Sequence, residues 1–255
     1  MGDTHTGHYA GLTPPEKWCE VRGEWADIGR QQRKMWKFYI DSLKDIGNID
    51  IAVLNGDGIA GKNYKAGGRQ IYEMSMIEQS HICTRILKET KAKEYHVVFG
   101  TPYHVGESED FESIIAKDLK GKAHGHLMLK VRDTIFDIKH KLGGGAIPST
   151  RAASLMREKQ QNIMWAYNDG QPNANVIIRS HVHDFIFAGT DKFTCVLLPC
   201  LEGFGDIHGV RACSGIIKIG LVWFDIYDNN VIDWHYKVMN FEIKENNKII
   251  ESFIK

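Results

Sequence analysis

Through residue 183 the chain alternates short apolar runs with stretches of helix-forming composition. Residues 25–43 have the composition of a helix, and the apolar run 49–54 after them reads as a strand ending at Asn55-Gly56-Asp57. Gly67-Gly68 opens a second helical stretch reaching about Glu89, with Ile82 and Ile86 spaced to share one face. Residues 95–99 form the next strand and deliver Gly100-Thr101-Pro102-Tyr103-His104 to its carboxyl end. A short helix is expected over 110–119. Residues 124–130 and 134–139 read as two strands with a tight connection, and His140 follows directly. Residues 149–167 read as a helix with Ser149 or Thr150 as cap, and 175–179 as the strand that presents His181 and His183.

This alternation predicts parallel strands joined by crossover helices, with functional loops at the carboxyl ends of the strands. After residue 184 the pattern becomes β-rich. Residues 185–188, 193–198, 216–227 and 231–241 read as strands, and Asp228-Asn229-Asn230 as a hairpin turn. The expected fold class is α/β, with the β-rich section supplying a second sheet.

At 255 residues the chain can bury a substantial core, and residues 1–255 are read as one domain. Its 32 basic and 32 acidic residues balance, which gives no support for strong nonspecific attraction to nucleic acid. Five cysteines, an odd number with no Cys-X-X-Cys pair, fit reduced thiols in a cytoplasmic protein better than a disulfide framework. Cys195, Cys200, His208 and Cys213 lack the spacing of a zinc site and read as buried or incidental thiols. No apolar run approaches the ~20 residues needed to cross a bilayer. The charged, polar start is not a signal peptide, so neither a membrane nor secretion is expected.

The candidate chemistry lies in five separated blocks. Asp3 and His5 form Gly-Asp-Thr-His-Thr-Gly, Asp57 lies in Asn-Gly-Asp-Gly, Thr101 and His104 lie in Gly-Thr-Pro-Tyr-His, His140 stands at a strand end, and His181 and His183 form Ser-His-Val-His. A pair of divalent ions needs several imidazole nitrogens, a carboxylate able to bridge, and an open position for water. Residues i and i+2 in extended chain project to one side, which suits both the Asp-X-His and the His-X-His pair.

In order and spacing these blocks resemble the calcineurin-like metallophosphoesterases. That family runs Asp-X-His, Gly-Asp, Gly-Asn-His-Asp/Glu, a lone His after a strand, and Gly-His-X-His. The resemblance spans Gly2 to His183. It implies a four-layer α/β/β/α sandwich and a metal-dependent phosphoesterase, favoured weakly as a phosphodiesterase. Two divalent ions are implied, manganese first and iron or zinc as alternatives. Asp3, His5, Asp57 and His183 would surround one ion, and Asp57 would bridge to a second held by His140, His181 and Thr101. A water acidified between them would attack phosphorus in line. The phosphate-ester substrates of the family include nucleotides and nucleic acids. The alternative is a catalytically inactive member that serves as a binding or scaffold protein.

The chain departs from the family pattern at three places. Thr101 stands where Asn is expected, so either Thr101 takes its place as a ligand or His104 serves as ligand or general acid, with His104 favoured near the leaving group. Ser180 replaces the usual Gly. Only Met1 and Gly2 precede Asp3, so the buried strand that normally leads into Asp-X-His is expected to be missing or replaced by a neighbouring segment. Other histidines are read as bystanders: His8 in a solvent-facing loop, His81 structural in a helix, and His124 and His126 on one strand face. His208 is a lesser candidate for substrate contact, and Gly143-Gly144-Gly145 reads as a flexible turn.

Overall fold

The computed structural model describes residues 1–18, 25–64, 67–68, 70–106, 110–143, 147–168, 170–203, 217–228 and 231–239, with backbone alone for 25–28. β1 (Ile51–Asn55), β2 (Glu94–Val98) and β3 (Lys122–His124) form a parallel sheet in that order. A mixed sheet comprises β4 (Leu127–Val131), β5 (Thr134–Lys141), β6 (Val176–Ser180), β7 (Ile186–Thr190) and β8 (Phe193–Leu197), in the order β4-β5-β6-β8-β7. β9 (Ile219–Ile226) and β10 (Ile232–Met239) pair antiparallel.

The apolar faces of these sheets meet in one core. Val98, Phe136, Ile138, Val176, Ile178 and Val196 are buried there, with Val53, Val222 and Phe224 packed against them. Helices cover both outer sides. From α1 (Trp25–Ile46), Met35 and Tyr39 pack with Ile82 and Ile86 of α2 (Met76–Lys88) and with Ile219 and Leu221 of β9. α3 (Pro102–Val105) is a single turn, and α4 (Glu112–Asp118) places Ile115 against Leu54, Leu87 and Val97. On the opposite side α5 (Arg151–Tyr167) buries Leu155 against Ile177, Cys195 and Leu197. The fold is therefore α/β, layered as helices, sheet, sheet and helix. Burying each of Ile82 and Ile86, both 0% exposed, contributes ~1.5–3 kcal/mol. Among the described residues no helix is long and apolar enough to cross a membrane.

The structure moves three expected boundaries. The second helix begins at Met76 rather than at Gly67-Gly68, because Ser75 is its N-cap and accepts from Glu78 N–H at 3.3 Å. The segment 124–130 is two strands. β3 pairs parallel with β2, and after Gly125 the chain crosses to the other sheet, where β4 pairs antiparallel with β5. An alternating pattern carries no record of which sheet its partners belong to, so the change was invisible in the sequence. His124 and His126 consequently part: His124 meets His96 at 3.0 Å, and His126 meets Asp137 at 2.9 Å. Thr150 does stand at the N-cap of α5, as one of the two expected residues, but its side chain makes no capping hydrogen bond. Residues Pro148–Thr150 form a 3-10 turn, and the Thr150 hydroxyl donates to Ile147 O at 3.0 Å. The hairpin at 228–230 links β9 to β10, with Asn229 and Asn230 outside the described residues; Tyr227 N–H donates to Val231 O at 3.0 Å.

In place of a long strand before Asp3, Met1–Asp3 lies along the edge of β1. Met1 N donates to Val53 O at 3.0 Å, Asn55 N to Met1 O at 2.7 Å, and Asp3 N to Gly56 O at 2.9 Å. Farther down that edge an apolar cleft of about 400 Å³ separates β1 from β9, lined by Ile51, Val53, Phe136, Ile138, Val222 and Phe224.

Candidate metal centre

Every block singled out in the sequence comes to one end of the sheets. β1 carries Asp57 on the loop beyond its last residue, β2 leads to Thr101 and His104, and β6 ends directly before His181 and His183. His140 lies inside β5 rather than after it, next to a register irregularity between Ile138 and Lys141. The first block docks by backbone: His5 N donates to Asp57 O at 3.1 Å and Thr6 N to Gly58 O at 3.1 Å.

Backbone conformation marks the same residues. Asp3, His5, Asp57, His181 and His183 all have positive φ, at 51°, 42°, 50°, 82° and 53°. For residues with a Cβ such conformations are strained and are kept only where the surrounding structure imposes them, typically at functional sites.

The side chains converge in three groups whose candidate donor atoms lie within 4.8 Å of one another: Asp3, His5 and His183; His5, Asp57 and His104; and Asp57, His140 and His181. Nε2 of His5 and Nε2 of His183 are 3.1 Å apart, and Asp3 Oδ1 is 3.4 Å from the latter. His140 donates from Nδ1 to Asn55 O at 2.7 Å, which turns Nε2 toward Asp57 Oδ2 at 3.0 Å. Asp57 belongs to two groups, as a bridging carboxylate must. Asp3 Oδ1 and His181 Nδ1 are buried without a hydrogen-bond partner, and His140 Nε2 has only its contact with Asp57 Oδ2. Such orphaned atoms are costly in a folded protein unless a further group satisfies them, and this donor set fits divalent cations.

Thr101 and His104 sit differently. The Thr101 hydroxyl donates to Asp57 Oδ1 at 3.1 Å and its N–H donates to the same oxygen at 2.6 Å, so it holds the carboxylate rather than facing the cluster independently. His104 contributes to the cluster. Its Nδ1 is 2.9 Å from Ala60 O, to which it donates, leaving Nε2 free, and its ring packs edge-on to His5 with centroids 4.5 Å apart.

Electrostatics distinguish the imidazoles. Burial pushes His5 down to about 4, with His104 and His183 adding to the effect against the pull of Glu202. Burial also acts to lower His140, but Asp3 and Asp57 overcome it and raise the ring to about 9. The Asp57 carboxyl would rise on burial; His140 and His181 hold it well below the usual carboxylate range instead.

Four supporting residues were given no role by the sequence reading. Glu112, 0% exposed, accepts from Gly58 N and Gly100 N, each at 2.7 Å, and so ties two ligand-bearing loops together. Asn55 donates to Ser180 Oγ at 2.8 Å and to Lys139 O at 3.0 Å, joining the ends of β1, β5 and β6; Ser180 thus has a use at the position where Gly was expected. Glu202 approaches His5, His8 and His183. No motif announces Glu112 or Asn55, whereas Glu202 follows closely on a strand's carboxyl end, which was a usable signal. His8 is 6% exposed, not solvent-facing, and meets Gln70 at 3.0 Å. His81 lies on the surface of α2 beside Glu78 and Asp118. Cys195 and Cys200 are buried free thiols, while His208, Cys213, Gly144 and Gly145 lie outside the described residues.

No protein-family model and no curated protein matches the chain. Similar solved structures include Vps29 from Entamoeba histolytica complexed with Zn²⁺, with 14% sequence identity, coverage of 94% of this chain and 97% of that one, and a TM-score of 0.45. An archaeal phosphodiesterase shows 12% identity, covers 79% of this chain and 92% of its own, and has a TM-score of 0.43. A predicted phosphoesterase from Streptococcus pneumoniae shows 11% identity, coverage of 78% and 90%, and a TM-score of 0.36. With TM-scores below 0.5, these likenesses carry no argument about this chain.

Proposed function

We propose that the chain is a metal-dependent phosphoesterase, in first place a phosphodiesterase, that works with two divalent cations, manganese first and iron or zinc as alternatives. The observation that carries the reading is the convergence of Asp3, His5, Asp57, His140, His181 and His183, in which Asp3 Oδ1 and His181 Nδ1 are buried without a hydrogen-bond partner and every member but His140 lies on positive-φ backbone. A scaffold has no use for orphaned buried polar atoms. Asp3, His5 and His183 would hold one cation, His140 and His181 the other, and Asp57 would face both. Bound there, the ions would supply an acidified water and offset charge on the phosphoryl oxygens.

The remaining roles fall to the protein. Thr101 and its backbone N–H fix the Asp57 carboxylate, and Glu112 keeps the loops of Gly58 and Gly100 in register. His104, with Nδ1 engaged by Ala60 O, presents Nε2 to the cluster and in its imidazolium form delivers a proton to the departing alkoxide. A nucleotide or nucleic-acid ester is part of this proposal as substrate class, drawn from the family resemblance. A cytoplasmic location is proposed with it, supported by the free thiols of Cys83, Cys195 and Cys200.

Hydrolysis of bis-p-nitrophenyl phosphate and p-nitrophenyl phosphate, with Mn²⁺ and with chelator, tests the proposal. Turnover should require metal, favour the diester and vanish in Asp57→Ala. Turnover unchanged in that variant would remove the proposed bridge, and a protein that binds no metal would be the inactive scaffold instead.

A further inference from the structure

Glu202 is a carboxylate that the motif order does not supply and that faces the imidazoles of the cluster directly. Its side chain is only 14% exposed, and its neighbours are imidazoles on three sides: Oε1 lies 3.0 Å from His8 Nδ1, and Oε2 lies 3.6 Å from His5 Nε2 and 3.5 Å from His183 Nδ1. Among the described residues no Lys or Arg forms an ion pair with it. A largely buried carboxylate needs compensating charge, and imidazoles are the groups that face this one.

The position is built rather than incidental. Leu201 N donates to Asp3 O at 3.0 Å and Gly203 N to Ala10 O at 2.7 Å, so the residues on both sides of Glu202 are bonded to the loop that carries Asp3 and His5. Glu202 itself forms an antiparallel bridge with Gly11. On its other flank, Lys218 N donates to His183 O at 2.9 Å and to no other backbone group of that loop, which fixes the strand end bearing the second imidazole.

We infer that Glu202 is a positioning residue for the cation site formed by Asp3, His5 and His183. Its Oε2 faces His183 Nδ1 at 3.5 Å while Nε2 points at Asp3 and His5, so the carboxylate would take the Nδ1 hydrogen once Nε2 holds a cation, and it adds negative charge to that side alone. A histidine whose second nitrogen is held by a carboxylate is a fixed and more basic ligand, and loss of such a partner weakens metal binding by about 10–100-fold. The centre is consequently asymmetric: the side near Glu202 binds its cation more tightly than the side of His140 and His181, which has no such carboxylate among the described residues.

This rests on the two-cation reading, and calorimetric titration of chelator-treated protein with Mn²⁺ separates the two ideas. The wild-type chain should show a tight and a weaker step, with His181→Ala marking the weaker. Glu202→Gln, which keeps shape but loses charge, should weaken the tight step about 10–100-fold and spare the other, and Glu202→Asp should recover part of the loss. Two unchanged steps in Glu202→Gln would overturn the inference while leaving the two-cation reading intact. Equal weakening of both steps together with a lower Tm of the metal-free protein would overturn it in favour of a structural role. A wild-type chain that takes up no Mn²⁺ would overturn the reading beneath it.

Discussion

Replacing Gly56 by alanine should destabilise the chain far more than the same change at Gly47, although both glycines have φ of +76°. The left-handed conformation costs a residue with a Cβ ~1–2 kcal/mol at either position. At Gly47 nothing lies within 4 Å of the added carbon, so that is the whole effect. At Gly56 the added carbon would stand 2.3 Å from His140 Nδ1 and 2.8 Å from Gly100 Cα. Neither neighbour yields easily: His140 is tied to Asn55 O at 2.7 Å, and Gly100 is held by Glu112 through its N–H at 2.7 Å. Overpacking of this kind adds ~1–3 kcal/mol. The expected losses are therefore about 1–2 kcal/mol for Gly47→Ala and about 2–5 kcal/mol for Gly56→Ala. Urea unfolding of both variants in chelator, beside the wild-type chain, measures them. Equal losses would refute the reasoning, since the backbone term is common to the two and only the contact with His140 and Gly100 differs.

Two further outcomes are expected. His104→Ala should slow hydrolysis of a diester with an alkyl leaving group by about 10²–10⁴-fold and affect a p-nitrophenolate leaving group much less, because the latter departs without a proton; equal losses on both would remove His104 as proton donor. Asp137, 1% exposed, would have its carboxyl raised by burial, but His126 and Arg179, each 2.9 Å away, hold it down to about 2. Because the folded value lies below the unfolded one, this stabilisation is present above about pH 4 and is lost as pH falls toward 2, a difference of roughly 2–3 kcal/mol. Urea midpoints at pH 5 and pH 2.5 should fall together less in Asp137→Asn than in the wild-type chain, and an identical fall in both would exclude Asp137 as the source.

The sequence by itself determined the element order and the blocks that converge. The apolar run 51–54 forms β1, with Ala52 and Leu54 buried and Ile51 and Val53 half-buried, and a strand of that kind can be recognised without knowing its neighbours. Asp3, His5, Asp57, His140, His181 and His183 could be picked out as candidates because metal chemistry restricts residue types and their order resembles a family pattern; that they converge is seen only in the fold. Tertiary structure alone decided which sheet each strand joined, as the division of 124–130 into β3 and β4 shows, since hydrogen-bond partners are nonlocal. It also decided the parts of Thr101, Glu112 and Glu202. Thr101 donates to Asp57 across a loop, Glu112 spans Gly58 and Gly100, and Glu202 reaches histidines nearly two hundred positions earlier in the chain. Each is an ordinary polar residue in sequence and acquires its role only when packing removes water and fixes what it faces.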